Sequence, residues 1–132
     1  MDFVSTRLIT HDVARLVGFY DAVLERTATW FTAEFAEIRT PGATLAIGST
    51  RTMALFGAGA ARPGANATAI LEFRVDDVDA HLAAHRDLLS DVVQAPTTQP
   101  WGNRSLLLRD PDGTLVNLFT PVTAEARARY GL

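Results

Sequence analysis

The chain has 132 residues, enough for one domain able to bury roughly two-thirds of the surface its unfolded form would expose. Hydrophobic residues at 48% and charged residues at 20% exclude a disordered or fibrous chain, and a net charge of −3 without any basic cluster excludes an electrostatic footprint for nucleic acid or an anionic membrane. The absence of cysteine excludes disulfides, thiolate catalysis and cysteine metal sites together. No apolar run approaches the roughly 18 residues of a membrane span, and the N-terminal MDFVSTR lacks a charged-then-apolar signal pattern, so a cytoplasmic location is expected. Asn66-Ala67-Thr68 fits a glycosylation acceptor, a match that means nothing without a secretory route.

In chain order, Phe3 to Thr10 alternates Val4, Thr6 and Leu8 with Ser5, Arg7 and Ile9, the pattern of a strand with one face on a helix and the other on something more polar. Asp12 stands as an N-cap before Val13, Leu16, Val17, Tyr20, Val23 and Leu24, an apolar stripe at helical spacing. Between Ala28 and Phe56 the period shortens. Trp30-Phe31 through Ile38, Leu45 to Ile47 and Met53 to Phe56 read as three strands, separated by Pro41-Gly42 and by Gly48-Ser49-Thr50. Gly57 to Ala67, rich in Gly and Ala, reads as a connection.

After that connection the order repeats. Ala69 to Val75 predicts a strand, Asp76-Asp77 a cap and Val78 to Leu89 a helix; Asp77 follows Asp12 by 65 residues, and Thr52 to Phe56 matches Leu115 to Phe119 in pattern. The repeat ends in a hairpin. Leu106 to Leu108 and Leu115 to Phe119 are apolar runs on either side of Asp110-Pro111-Asp112-Gly113, where Pro fixes φ, the two Asp side chains bond their own backbone and Gly takes positive φ. Thr123 to Tyr130 reads as a short C-terminal helix. The expected organisation is α+β: two βαβββ modules, residues 1–57 and 68–122, joined by a linker 58–67 and followed by a tail 123–132, forming a cupped mixed sheet with the helices on its outer face.

Trp101-Gly102-Asn103-Arg104, then a strand, then Asp110-Pro111-Asp112-Gly113-Thr114-Leu115-Val116-Asn117-Leu118-Phe119 resembles the end of a vicinal-oxygen-chelate domain, the superfamily of glyoxalase I, extradiol dioxygenases and bleomycin-binding resistance proteins. In its metal enzymes a glutamate two residues before the final aromatic or aliphatic position binds the metal; here that position is Asn117. The other ligand positions fall on the first and last strands of the modules, and the matching residues are Ser5, Ala54 and Ile70. A Ser, Ala, Ile, Asn set offers metals neither imidazole nor carboxylate, so no metal and no cofactor are expected. His81 and His85 share a helix face, but His81-Leu82-Ala83-Ala84-His85 lacks the glutamate of a zinc-binding H-E-x-x-H motif. His11 sits beside the helix cap, as a solvent-facing turn residue would.

Beside the vacant ligand positions, Arg7 lies two residues beyond Ser5, and Glu72 and Arg74 lie two and four beyond Ile70, so strand alternation points all three the same way as Ser5 and Ile70. Two readings stand for them: a structural pair of Glu72 with Arg7 or Arg74, or contact with a ligand. Trp30, Phe56 and Trp101 are candidates for an aromatic wall on which a flat ligand stacks, with Ala54 leaving room and Asn117 a polar contact. The resemblance then implies a metal-free binding protein that sequesters a planar organic ligand, as antibiotic-binding members do, in a homodimer whose cup lies between modules or chains. The alternative is an enzyme: a metal-dependent lyase, isomerase or dioxygenase with its ligands elsewhere, or a metal-free enzyme with Glu72 as base. A purely structural or interaction role ranks third.

Overall fold

Each half of the sequence folds as its own β-α-β-β-β unit. The computed structural model describes residues 1–132 and divides them into residues 1–66 and residues 67–132. In the first unit the order is β1 (Ser5–Thr10), α1 (Val13–Val23), β2 (Thr29–Thr32), β3 (Phe35–Arg39) and β4 (Thr44–Ser49), followed by a 3-10 helix, Thr50–Leu55. The second unit repeats it with β5 (Ile70–Arg74), α2 (Val78–Ala84), β6 (Val92–Thr98), β7 (Asn103–Arg109) and β8 (Leu115–Pro121), and adds α3 (Ala124–Arg129). Each unit has its own four-stranded mixed sheet, ordered β1-β4-β3-β2 in the first and β5-β8-β7-β6 in the second. The first strand runs parallel to the last in both, because the chain crosses over a helix before returning. No helix is long and apolar enough to cross a membrane.

The helices start where the sequence predicts. Asp12 accepts a hydrogen bond from the Arg15 N–H at 3.0 Å, and Asp77 accepts from the Asp79 and Ala80 N–H groups, each at 3.0 Å, satisfying donors that the first turn leaves free. α1 packs across β3 and β4 and buries Leu16, Val17, Tyr20 and Val23 against Ala36, Ile38, Leu45 and Ile47. In the second unit the matching sheet face carries Leu106, Leu108, Val116 and Leu118, all fully buried, under the shorter α2. Burying such side chains contributes about 1.5–3 kcal/mol each as an upper bound. Each apolar face packs its own unit's sheet against its own helix; the opposite sheet faces carry candidate site residues.

The first unit departs from expectation in its second half. Trp30 to Ile38 is two strands, not one: the chain turns at Ala33-Glu34, where Thr32 Oγ1 accepts from the Glu34 N–H at 3.1 Å, a turn made without Gly or Pro. Leu45 to Ile47 therefore belongs to the last strand, and the strand expected over Met53 to Phe56 is the 3-10 helix instead. Ser49 caps that helix, its Oγ accepting from the Arg51 N–H at 3.1 Å, while Thr52 Oγ1 donates to the Ser49 carbonyl at 2.7 Å. The true counterpart of Leu115 to Phe119 is thus Thr44 to Gly48 rather than Thr52 to Phe56.

Candidate functional site

Strand register decides which residues share the face that α1 leaves uncovered. Arg7 pairs with Ala46, which pairs with Glu37; Phe35 pairs with Gly48, and Arg39 with Thr44. Directly paired residues point the same way. One row across the open face is therefore Arg7, Ala46, Glu37, and the next holds Gly48 and Phe35. Gly48 is needed for closeness: a Cβ there would meet Thr52 Oγ1 at 3.0 Å and Phe35 Cδ2 at 3.5 Å. With only a hydrogen at Gly48 the 3-10 helix lies down on the strand it has just left. At its end the N–H groups of Phe56 and Gly57 both donate to the Met53 carbonyl. Phe56 is thereby carried back over the first strand.

The result is a guanidinium flanked by rings. Arg7 Cζ lies 4.7 Å from the Phe35 ring centroid and 5.4 Å from that of Phe56, and Phe35 in turn meets Phe31 at 5.8 Å. An arginine over an exposed ring contributes about 0.5–1 kcal/mol per ring. Phe31 is 55% exposed and Phe56 72%, large values for side chains that water solvates poorly. Glu37, in the row with Arg7, already accepts two hydrogen bonds from Arg39, from Nε at 3.1 Å and Nη2 at 2.9 Å. Arg51 donates to Glu34 at 2.8 Å, and hydrogen bonds from Ser49, then that arginine, hold the Glu34 carboxyl below the usual range. Arg7 has no such carboxylate within its unit.

On the second unit's open face, Ile70 pairs with Leu115, Glu72 with Asn117 and Arg74 with Phe119, while β7 contributes Leu107, Ser105 and Asn103. Asn117 Nδ2 donates to Glu72 Oε2 at 2.8 Å. The partner of Glu72 here is thus an amide, and not Arg74, which instead lies over Tyr130 at 5.9 Å and donates to its carbonyl at 3.5 Å. Tyr130 also meets the Phe119 ring at 5.4 Å, so the C-terminal segment roofs one end of this face. Asn103 Oδ1, Ser105 Oγ and Asn117 Oδ1 are buried without a protein partner.

The remaining expected site residues fall as follows. Ala54 lies exposed in the 3-10 helix, outside any strand; by register the residue of the first unit that corresponds to Asn117 is Ala46. Trp30 pairs with Ala36, on the side of the sheet that α1 covers, so Trp30 and Phe56 stand on opposite sides of it. Trp101 is exposed before β7, its carbonyl accepting from Arg129 Nη2 at 2.7 Å. In place of Trp30 and Trp101, the aromatic residues grouped with Phe56 about Arg7 are Phe35 and, against it, Phe31. Their signal lay in the hairpin: with a turn at Ala33-Glu34, both fall next to the loop.

The donor set at the expected ligand positions tests whether they fit a metal. With the corrected register the positions used by metal enzymes hold Ser5, Ala46, Ile70 and Asn117. Two have no donor atom, one is a hydroxyl, and the fourth offers only a neutral amide oxygen, its nitrogen donating to Glu72. Divalent metals seek imidazole or carboxylate, so these residues do not fit one. Asp110, acidic and conspicuous in sequence, is consumed by its turn: its Oδ1 accepts from the Asp112 and Thr114 N–H groups, each at 2.9 Å.

A family model described as the Glyoxalase/Bleomycin resistance protein/Dioxygenase superfamily matches residues 2–118. Among solved structures the chain resembles a glyoxalase/bleomycin resistance protein/dioxygenase from Nocardioides, at 22% identity and a TM-score of 0.73 over 94% of this chain and 85% of that one. A glyoxalase/bleomycin resistance protein/dioxygenase family enzyme from Burkholderia phytofirmans PsJN is 16% identical with a TM-score of 0.81, over 92% of this chain and 100% of the other. A glyoxalase-related enzyme from Fulvimarina pelagi is also 16% identical, with a TM-score of 0.76 over 94% of both chains. At these identities the likeness concerns the fold. No curated protein sequence matches the chain.

Proposed function

We propose, from the premise that the chain belongs to the glyoxalase/bleomycin resistance/dioxygenase superfamily, that it is a metal-free binding protein that holds a planar organic ligand on the open sheet face of its first unit. The observation that carries this reading is the cluster of Phe35 and Phe56 at Arg7, with Phe31 against Phe35, where the rings of Phe31 and Phe56 stand exposed and the sheet residue paired with Arg7 is the small Ala46. Flat ligands gain there by offset stacking, which contributes about 0.5–1.5 kcal/mol per ring pair beyond the area buried. The vacant donor set explains why binding would proceed without a metal.

The test is calorimetric. Protein treated with a strong chelator is titrated with naphthamide, an uncharged planar probe, as parent and as Phe56→Ala. Binding to the chelated parent, weakened about tenfold in Phe56→Ala, is the expected outcome, the loss of one aromatic contact and its buried area. Binding that appears only after zinc, nickel, manganese or iron is added would overturn the reading.

A further inference from the structure

We infer that the ligand of the first unit's open face carries a carboxylate, or another planar oxyanion, bound by Arg7. This rests on the planar-ligand reading above and adds the charge of the ligand to it.

The cations and anions of this face do not balance. Arg39 and Arg51 are each committed to a carboxylate, Glu37 and Glu34 respectively, at hydrogen-bonding distance. Glu37, the only acid in the row that contains Arg7, gives two hydrogen bonds' worth of acceptor capacity to Arg39. Arg7 has ring contacts alone. A guanidinium carries five N–H donors in one plane, and ring faces satisfy none of them; they compensate part of its charge and hold its plane in place. An arginine fixed this way, with its donors unspent, is preorganised for a planar acceptor with two oxygens, and such forked pairs are stronger than neutral hydrogen bonds. The ring cluster beside it supplies the surface for the ligand's apolar body. One molecule that satisfies both halves is an aromatic carboxylate.

The small residue between the charges matters too. Ala46 separates Arg7 from Glu37 in the register. A longer polar side chain there would reach Arg7 and spend the donors internally. A methyl group leaves them open.

The experiment compares naphthoate with its uncharged amide, naphthamide, by calorimetry on the full chain, in the parent, Arg7→Gln and Arg7→Lys. The inference expects naphthoate to bind the parent about tenfold or more tightly than naphthamide, the size of a charge-assisted hydrogen bond. Arg7→Gln should erase that preference, read as the ratio of the two probes' affinities within the same variant, and Arg7→Lys should retain part of it, having the charge but not the fork. Equal affinity for the two probes in the parent would overturn the anion subsite and leave the planar-ligand reading standing. A carboxylate preference that survives in Arg7→Gln would also overturn it, and failure of both probes to bind would overturn the two readings together. Should Arg7→Gln fail to fold, the parent decides by ionic strength: the preference must shrink as salt is raised, and one that does not change overturns the assignment.

Discussion

The two units are built alike and finished differently. Asp12 and Asp77 cap their first helices, and the same strand order follows in both. On the helix-covered faces the same kind of residue recurs, with Ile47 and Leu118 each fully buried. On the opposite faces equivalent register positions hold opposite chemistry. Where the first unit has Arg7 paired with Ala46, the second has Glu72 paired with Asn117. Where the first has Phe35 against Gly48, the second has Ser105 against Phe119. The first face is thus aromatic and cationic with its donors unspent, whereas the second is polar, internally hydrogen-bonded at Glu72 and roofed at one end by Tyr130. The comparison teaches that the helix-covered face specifies the fold of each unit, while the opposite face is where the two units differ in chemistry.

The roof offers the largest break in the comparison. Gly102 has φ +90°, and a Cβ on it would overlap Thr123 Oγ1 and press on Ala126 Cβ at 3.0 Å. Gly102→Ala should therefore destabilise the protein by about 1–3 kcal/mol in denaturant unfolding, through strain and displacement of α3. No residue of the first unit plays this part, so Gly18→Ala, with nothing within 4 Å of the added atom, should be neutral or slightly stabilising.

A smaller effect sharpens the comparison through acid. Arg104 donates to both oxygens of Asp79, from Nε at 2.5 Å and Nη2 at 2.8 Å, and these bonds hold the Asp79 carboxyl below its usual range. A carboxylate with a depressed folded pKa contributes stability that is present above its unfolded pKa and lost as pH falls through the folded one. Glu34 is lowered in the same direction by Ser49 and then Arg51. Thermal melts should accordingly show stability falling on acidification below about pH 4, less steeply in Asp79→Asn and in Glu34→Gln than in the parent. Both carboxylates remain accessible to solvent, so screening should keep the difference between parent and variants slight.

Much of this was legible in sequence because caps and turns act locally. Asp12, Asp77 and the Asp110-Pro111-Asp112-Gly113 turn declare themselves through residues that bond their own neighbours, and the superfamily follows from the last of these. What was not legible depended on register. The turn at Ala33-Glu34 contains neither Gly nor Pro, so two strands read as one, and every later assignment in the first unit moved by an element. That slip put Ala54 where Ala46 belongs and left Phe31 and Phe35 unnoticed. The apolar residues of Met53 to Phe56 read as a strand, but Ser49 was a helix cap rather than a turn residue. Trp30, an aromatic in a strand, offered no sign of which face it took; the bulge that follows it in the β2–β3 pairing and its partner Ala36 fix that.

The most direct measurement is a backbone amide NMR map of the chelated protein titrated with naphthoate. The account predicts that the largest chemical-shift changes fall on Arg7, Phe31, Phe35, Ala46 and Phe56. Changes concentrated instead on Ile70, Glu72, Ser105 and Asn117, with the first unit's face unmoved, would contradict it.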